Sequence, residues 1–377
     1  MNDKNLLGYF IGDNADRLNT ERYIKFKLAE HVSYLLRNGK PHSKNDIYKE
    51  AREIYKRSGG ESKGVKPLTE TEIKELYELG IVKACRWYMN TAWAFDKACE
   101  IYKYQISLNL RTSNSVALQQ YSTPAPIAYL ASLYVDSLTP GENKNSQNCY
   151  LEPTAGNGML TISMRSEFIH VNELDKTRLY NLDVLSDDYG KVTNRDATEG
   201  FGRDIYHGII ANPPFGKLDK IVDYDGYKIT QLDHLIALRA LDAMRNSGHA
   251  AIIIGGHTEW DEYGRIKSGK NRIFLSYLYS HYNVIDVINI NGELYRKQGT
   301  TYPIRLILIA GRKSEPNGYA PLYNEKHDVI IDSFEKLRFR VLNTMVSARR
   351  CKEFDVELAN LEAEALELEL ELMKVKW

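Results

Sequence analysis

An Asn-Pro-Pro-Phe segment, Asn212 to Phe215, follows a short apolar run and is the most specific chemical pattern in this 377-residue chain. Two consecutive prolines carry no backbone N–H, so the loop offers the Asn212 side chain and bare carbonyl oxygens to a group that donates hydrogen bonds. Phe215 adds a flat apolar face for stacking. The segment therefore predicts a binding site for a planar amine or amide, and the alternative is a rigid turn with a core phenylalanine.

A glycine turn lies sixty residues earlier, in the string Glu152 to Leu160. Gly156 and Gly158 let the backbone turn tightly and approach a ligand without a Cβ in the way. A helix predicted to start near Met159 would direct its amides at the bound group. A Gly-x-Gly turn alone also occurs as a plain turn, so its meaning depends on the residues at the ends of the neighbouring strands.

Two acids come after the glycine turn at the ends of predicted strands. Glu173 stands directly after the strand 169–172, where a carboxylate can accept both hydroxyls of a ribose. Asp196 comes next and can accept a hydrogen bond from an adenine amino group. Either acid alone could be a surface residue. Together with the glycine turn, they favour a ligand that contains adenosine.

The ordered strings QQYSTP, LEPTAGNGML, NELD, RDAT and IIANPPF resemble the N6-adenine DNA methyltransferases of the gamma arrangement, over about residues 119–312. The resemblance implies S-adenosylmethionine as cofactor, DNA as partner and no metal. The cofactor-binding residues that it implies are Thr123, Pro124, Glu152, Pro153, Ala155, Gly156, Gly158, Glu173, Asp196 and Asn212. The catalytic residues that it implies are Asn212, Pro213, Pro214 and Phe215.

The chemistry of the Asn-Pro-Pro-Phe loop agrees with this resemblance. Adenine N6 is a poor nucleophile because its lone pair is delocalised into the ring. Asn212 Oδ1 and the Pro213 carbonyl can accept both N6 hydrogens and localise that pair, and positioning beside the sulfonium supplies much of the remaining acceleration. A base inside a duplex cannot reach such a pocket, so we expect it to be flipped out and stacked on Phe215.

These motifs need elements that position them. The pattern from Asp16 to about Leu110 is helical, and Ser43 and Thr69 are predicted N-caps. Helices are predicted over 20–37, 44–57, 69–79, 83–104, 231–246 and 271–281. Strands are predicted over 148–151, 169–172, 208–211, 250–255, 284–289 and 305–310. This alternation predicts an α/β fold, a Rossmann-like class I methyltransferase sheet with helices on both faces.

The predicted domains are an all-α N-terminal region over residues 1–118, a catalytic domain over 119–315 and a C-terminal extension over 316–377. In the extension, leucines and one alanine recur at steps of three and four from Leu358 to Leu372, flanked by glutamates. This short heptad pattern predicts a helix that packs either on its own domain or on another chain. A specificity partner or self-association through this helix is therefore expected.

Charge and composition agree with an intracellular DNA-binding protein. Eight of the 50 acids lie between Glu353 and Leu372, so the remaining 42 face 50 Lys and Arg, an excess of +8 that suits a polyanion. No apolar run reaches the roughly 18–20 residues that a membrane span requires. The four cysteines are far apart and form no CxxC, which predicts a reducing, cytoplasmic setting.

Two further segments lie beyond the catalytic loop. The segment 216–230 is expected to be a loop that closes over the target base. A set of basic and aromatic residues is expected to contact phosphates rather than bases. Its members are Arg265, Lys267, Lys270, Arg272, Tyr295, Arg296, Lys297 and Arg312.

Other functions share the same motifs. An Asn-Pro-Pro-Phe loop also serves enzymes that methylate RNA bases or protein glutamine, and a cofactor-fold chain can be a non-catalytic subunit of a larger assembly. Gamma-type enzymes usually carry a sizeable target-recognition domain after the catalytic domain, whereas about 65 residues come after Arg312 here. Restriction-modification, phage or mobile-element protection, and epigenetic marking all remain open as settings.

Overall fold

The computed structural model describes residues 15–107, 122–146, 149–186 and 189–349. Within them no helix is both long and apolar enough to cross a lipid bilayer. The predicted acidic heptad and the QQY part of the first motif lie outside the described residues. The helices are α1 Ala15–Arg37, α2 Lys44–Arg57, α3 Glu70–Arg86, α4 Ala94–Tyr104, α5 Ala125–Leu138, α6 Lys176–Tyr180, α7 Leu232–Asp242, α8 Lys270–His281 and α9 over 334–349.

In the described part of the chain, seven strands form one sheet in the order β3-β2-β1-β4-β7-β9-β8, and two more form a separate hairpin, β5-β6. All neighbours are parallel except β9, which runs antiparallel to both β7 and β8. The strands are β1 Tyr150–Glu152, β2 Ile169–Asn172, β3 Lys191–Thr193, β4 Tyr206–Ala211, β5 Lys217–Tyr224, β6 Tyr227–Gln231, β7 Met244–Gly255, β8 Tyr282–Ile290 and β9 Ile304–Arg312.

The chain order reverses between β1 and β4, which are hydrogen-bonded neighbours. Strands β2 and β3 extend the sheet to one side of β1, and β4, β7, β9 and β8 extend it to the other. In open α/β sheets such a switch point creates a crevice beyond the carboxyl ends of the strands. The loops after β1 and β4 are the glycine turn and the Asn-Pro-Pro-Phe segment, so the topology brings the two predicted motifs together.

Apolar side chains alternate along the central strands and fill both faces of the sheet. Ile210 and Ile253 belong to the core beneath α3, α5 and α9, and Ile209 and Ile252 belong to the core beneath α7 and α8. The central strands are therefore buried on both sides, as expected for parallel strands. The predicted α/β Rossmann-like sheet with helices on both faces, preceded by a helical region, is confirmed.

Two caps in the helical region agree with the prediction. The Ser43 side chain accepts the Asp46 amide, the Asp46 carboxylate accepts the Ser43 amide, and Thr69 and Glu72 repeat this capping box at the start of α3. Each box satisfies two amides that a helix start otherwise leaves unpaired. These are local interactions between residues three apart, which explains why sequence alone located both helix starts.

The predicted break after Leu79 is wrong. Helix α3 continues through Gly80 to Arg86, and the break falls after Arg86, before α4 begins at Ala94. A Cβ at position 80 would lie 2.6 Å from the Val32 side chain and 2.9 Å from the Ala29 carbonyl oxygen. Gly80 thus lets α1 and α3 approach closely, and this packing outweighs the low helix propensity of glycine.

Buried polar contacts join the helical region to the sheet. The Arg178 guanidinium contacts the Glu75 carboxylate through two hydrogen bonds of 2.8 and 3.3 Å, and both side chains are 7% exposed. Arg86 of α3 donates to the Thr161 carbonyl at 3.1 Å and to the Met164 carbonyl at 3.3 Å. Helix α3 of the N-terminal region therefore packs against the segments that surround the glycine turn.

The helix predicted to start near Met159 is wrong, because only one 3-10 turn forms there, Met159–Thr161. Arg86 donates to the carbonyls of Thr161, at the end of this turn, and of Met164, and the Thr161 carbonyl also accepts the Met164 amide. A full set of helix amides is consequently not aimed at the glycine turn. Any ligand held there relies on side chains and on the loop's own backbone.

The predicted mobile loop over 216–230 is also wrong, because this segment is the β5-β6 hairpin. Tyr224 is 5% exposed, and its hydroxyl donates to the Leu238 carbonyl of α7 at 3.2 Å. Tyr227 packs edge-on against Tyr277 of α8 with ring centroids 5.2 Å apart. These contacts of Tyr224 and Tyr227 pack the hairpin against α7 and α8.

Candidate active site

A cavity of about 710 Å³ opens at the carboxyl ends of β1 and β4. The predicted site residues Thr123, Glu152, Pro153, Ala155, Gly156, Glu173, Asp196, Asn212, Pro213, Pro214 and Phe215 all line it. Pro124 is the N-cap of α5 and directly follows Thr123. Gly158, the second glycine of the turn, packs against Tyr189. This volume is in the range of cavities that enclose a nucleotide-sized ligand.

The glycine turn is shaped by backbone conformations that only glycine adopts without strain. Gly156 has φ +57° and Gly158 has φ +88°. A Cβ at Gly158 would collide with the Tyr189 hydroxyl, whereas a Cβ at Gly156 would meet nothing within 4 Å and would occupy the open space of the cavity. Gly158 is thus required by packing, and Gly156 leaves the backbone accessible to a ligand.

Glu152 ends β1 and is fully buried beneath the cavity. Its Oε1 accepts the Thr154 amide at 3.1 Å, and its Oε2 is buried with no hydrogen-bond partner among the described residues. Burial raises the pKa of Glu152 to about 8, with the Thr154 hydrogen bonds opposing the shift and Glu173 adding to it. A cationic ligand would favour the charged form of this carboxyl.

Glu173 holds the glycine turn in place. Its Oε2 accepts the Gly156 amide at 2.7 Å and its Oε1 accepts the Asp175 amide at 2.8 Å. Burial raises the pKa of Glu173, while Arg178 and these two amides oppose the shift. Each carboxylate oxygen keeps a second lone pair, so Glu173 can still accept a hydroxyl of a ligand in the cavity.

Asp196 comes after β3 at the outer rim of the cavity and is exposed. Its Oδ1 caps a 3-10 turn by accepting the Thr198 amide at 2.9 Å and the Thr198 hydroxyl at 2.7 Å. The second oxygen, Oδ2, is left to meet a donor from the cavity. The capping bond fixes the direction of the carboxylate.

Asn212 is positioned across the cavity by Thr123. The Asn212 Nδ2 donates to the Thr123 Oγ1 at 2.9 Å, and Thr123 is 3% exposed at the start of α5. The Asn212 Oδ1 is buried and has no partner among the described residues. Because Nδ2 is engaged, the amide presents its acceptor oxygen as the free group.

Phe215 forms an apolar face beside this amide. Its ring lies 6.1 Å from the Tyr302 ring, centroid to centroid, at an interplanar angle of 43°. A Cβ on Gly255 would lie 3.0 Å from the Phe215 ring, so the glycine at the end of β7 lets the ring pack against the backbone. The wall between Asn212 and Tyr302 is thus flat and apolar.

Several residues of the cavity were not predicted from sequence. Asp233 lines it from the start of α7, and Arg178 lines it beneath the glycine turn; Lys270, predicted only as a phosphate contact, lines it from the start of α8. An acid in the first turn of the helix after the catalytic loop was the available signal for Asp233. The helical region also takes part, because the Asn157 Nδ2 of the glycine turn donates to Glu75 Oε2 at 2.8 Å.

Two members of the predicted phosphate-contacting set, Arg312 and Tyr295, are engaged within the protein. Arg312 donates to the carbonyls of Leu241, Asp242 and Met244 at 2.8–3.0 Å, which fixes the end of β9 to the end of α7. Tyr295 is 1% exposed and lines the cavity. Arg312 is held by backbone carbonyls and Tyr295 is buried. Neither residue is therefore a surface contact for phosphates.

Comparison with solved structures finds similar proteins at low sequence identity. A Listeria monocytogenes protein assigned as a class I S-adenosylmethionine-dependent methyltransferase is 12% identical with a TM-score of 0.47, over 88% of this chain and 98% of that one. The M protein of the EcoKI type I restriction enzyme is 14% identical with a TM-score of 0.37, over 81% of this chain and 74% of that one.

A Vibrio vulnificus YJ016 protein assigned as the modification subunit of a type I restriction enzyme is 13% identical with a TM-score of 0.37, over 73% of this chain. The chain spans 59% of that subunit's length. No protein-family model and no curated protein sequence matches the chain.

Proposed function

We propose that this chain is an S-adenosylmethionine-dependent methyltransferase that methylates N6 of a flipped-out adenine in DNA. The observation that carries the proposal is the Asn212 carboxamide, whose Nδ2 is held by Thr123 at 2.9 Å and whose Oδ1 is a buried acceptor without a partner among the described residues. A free acceptor followed by two prolines suits an amine that donates two hydrogens. This acceptor shares its cavity with a glycine turn and three acids.

The donor side of the cavity fits S-adenosylmethionine. The cofactor carries positive charge on its sulfonium and ammonium groups, and Glu152 Oε2 is a buried carboxyl oxygen that the described residues leave unpaired at this side. Glu173 and the free oxygen of Asp196 are acceptors for ribose hydroxyls and for an adenine amino group. When bound, S-adenosylmethionine supplies an electrophilic methyl group.

The acceptor side fits the amine. Asn212 Oδ1 and the Pro213 carbonyl accept its two hydrogens, which draws the nitrogen lone pair out of conjugation with the ring. With S-adenosylmethionine bound, the nitrogen would form a new N–C bond as the C–S bond of the cofactor breaks, S-adenosylhomocysteine would leave, and the nitrogen would then lose one proton to water. Acceptors fixed before the reaction stabilise the charge that develops on nitrogen without reorganising.

Positioning of the base supplies the rest of the rate acceleration. Phe215 offers a stacking face beside Asn212, so a planar base is held with its amine facing the donor side. Such stacking is worth about 1–3 kcal/mol per base. Because Asn212 and Phe215 lie inside the cavity, a base reaches them only by leaving the DNA double helix.

The test is incubation of the purified chain with radiolabelled S-adenosylmethionine and, in parallel, unmethylated genomic DNA, total RNA or a protein lysate. Nucleoside analysis of the DNA should show labelled N6-methyladenine, and sequencing should map the methylated sites. Asn212→Ala serves as the matched control, with cofactor binding measured by calorimetry for both proteins. Label in RNA or in protein alone would contradict DNA as the substrate.

Cofactor binding is measured separately from transfer. Binding without label in any of the three substrates would contradict catalysis by this chain and favour a non-catalytic subunit. Absence of binding would contradict the cofactor itself. Transfer that appears only after a cellular extract is added, and that Asn212→Ala abolishes, would show that the chemistry belongs to this chain and that recognition needs a partner.

A further inference from the structure

The cavity also contains, near Phe215, a buried carboxyl that the proposed reaction does not use. Asp233 lies in the first turn of α7, is 4% exposed and lines the cavity. Its Oδ2 accepts the Gly255 amide at 3.4 Å, and its Oδ1 is buried without a hydrogen-bond partner among the described residues. A buried polar oxygen without a partner is unfavourable unless a ligand satisfies it.

Asp233 and Phe215 meet at the same glycine. The Gly255 amide donates to Asp233, and the Phe215 ring lies 3.0 Å from the place where a Cβ of Gly255 would stand. A ring stacked on Phe215 would therefore come close to the Asp233 carboxyl. Asn212 and Pro213 already accept the two hydrogens of the proposed amine, so Asp233 is left to meet another atom of that ring.

The charged and titratable groups around Asp233 do not neutralise it by contact. His234 is on the same helix, Lys270 is on α8 and Arg305 is on β9. Lys270 donates to Gln231 Oε1 at 2.8 Å, Arg305 donates to Asn271 Oδ1 at 2.9 Å, and within the described residues Asp233 has no ion pair shorter than 4.0 Å.

Burial therefore dominates the ionisation of this carboxyl. Desolvation raises the pKa of Asp233 to about 6, with the Gly255 amide, Arg305, the backbone amide of Asp233 itself and Lys270 opposing the shift. A ring that covers the carboxyl removes more water and favours the neutral form further. Because Oδ2 accepts an N–H, the proton of the neutral form sits on Oδ1, the oxygen without a partner in the described part of the chain.

We propose that Asp233 Oδ1 donates a hydrogen bond to a ring nitrogen that flanks the exocyclic amine, N1 or N7 when the substrate is adenine. This inference rests on the proposed function and names the substrate class more closely: an amine on a ring that carries a neighbouring nitrogen acceptor. Asp233 is thus a specificity residue for the ring, whereas Asn212 engages the amine. An ionised Asp233 would repel the ring lone pair, so transfer falls as pH rises above about 6.

The test uses duplex oligonucleotides that carry one mapped methylation site with adenine, 1-deazaadenine or 7-deazaadenine at the target position. The wild-type enzyme is expected to lose about tenfold in kcat/KM with one of the two analogues, in line with the loss of one hydrogen bond. Asp233→Ala is expected to lose about tenfold with adenine and to treat that analogue and adenine alike. Equal analogue ratios in wild type and Asp233→Ala would overturn the proposal.

Asp233→Asn is the second variant, because its amide oxygen can accept the Gly255 amide while its N–H keeps a donor in the cavity. It should retain discrimination between the analogues and lose the decline in rate between pH 6 and 9. A decline that persists in Asp233→Asn would contradict the protonated carboxyl. Cofactor affinity within threefold of wild type verifies the fold of both variants, and failure of the wild-type protein to methylate unmodified adenine would instead reject the proposed function.

Discussion

The Asn212 Nδ2 donates a hydrogen bond of 2.9 Å to the Thr123 Oγ1, a residue 89 positions earlier in the chain. Thr123 directly precedes Pro124, the N-cap of α5, and Asn212 stands directly after β4. The bond fixes which end of the carboxamide is free, so Thr123 is a positioning residue for the proposed catalytic amide. The buried Tyr295 lies beside the same threonine, whose hydroxyl opposes the rise that burial causes in the Tyr295 pKa.

Thr123→Val should lower kcat by about tenfold, because the loss of one hydrogen bond of about 0.5–1.5 kcal/mol lets the carboxamide turn its Nδ2 into the cavity. Thr123→Ser keeps the hydroxyl and should stay within threefold of wild type. Steady-state kinetics of both variants separate kcat from KM. A loss in Thr123→Ser with full activity in Thr123→Val would indicate that the methyl group, rather than the hydroxyl, matters.

Asn212→Ala should leave cofactor affinity within a few-fold of wild type and lower methyl transfer by about 10²–10³, the usual effect of removing one preorganised group at the reacting atom. Calorimetry measures the affinity and single-turnover transfer measures the rate. Asn212→Asp is the companion variant, because it keeps an acceptor oxygen but cannot donate to Thr123. Unchanged turnover in Asn212→Ala would remove Asn212 from its proposed role.

Glu152 should make the folded protein less stable as pH rises. Between its ordinary pKa of 4.5 and the value of about 8 in the fold, the folded state holds one more proton than the unfolded chain. The free energy of unfolding therefore falls by up to about 1.4 kcal/mol per pH unit between these two pKa values. The stabilisation that protonated Glu152 contributes is fully present only below pH 4.5.

Glu152→Gln removes this titration while keeping the side-chain shape. Urea unfolding at pH 6, 7 and 8 should show a shallower decline for the variant than for wild type. Parallel pH dependences for the two proteins would contradict a raised pKa at this position.

Breaking the Glu75–Arg178 pair should destabilise the whole protein. Both side chains are 7% exposed, and removing one partner leaves an uncompensated buried charge, which typically costs about 3–5 kcal/mol. Glu75→Gln also weakens the contact to Asn157, so cofactor affinity should fall with stability. Thermal unfolding measures the first effect and calorimetry the second.

The matched control for that pair is Glu53→Gln. Glu53 and Lys56 form an ion pair on α2 with side chains 44% and 71% exposed, and such surface pairs contribute little to stability. Equal shifts in unfolding temperature for the two substitutions would contradict the structural role assigned to Glu75.

Removal of Glu353 to Trp377 should leave cofactor affinity unchanged and alter oligomeric state or solubility, because the heptad pattern predicts a helix that packs on a partner surface. Light scattering and calorimetry on the truncated chain check both parts. Loss of cofactor binding would show instead that this segment belongs to the catalytic core.

The sequence by itself determined the features that depend on near neighbours along the chain. The capping boxes at Ser43 and Thr69 join residues three apart, and the ends of β2 and of the Asn-Pro-Pro-Phe strand are set by apolar runs bounded by polar or proline residues. Because the loops after parallel strands meet at one edge of a sheet, the strand ends also predicted that Glu152, Glu173 and Asn212 share one cavity.

Tertiary structure alone decided the features that depend on contacts between distant segments. Six of the fifteen residues of the 217–231 hairpin are charged, which interrupts its apolar pattern, and its aromatic anchors meet α7 and α8 only in the fold. The segment after the short turn at Met159 is held by Arg86, whose guanidinium donates to the Thr161 and Met164 carbonyls from a distant part of the chain. The free acceptor of Asn212 and the unpaired oxygen of Asp233 likewise arise because burial and partners from other elements, not local sequence, decide which polar atoms of the described residues remain unpaired.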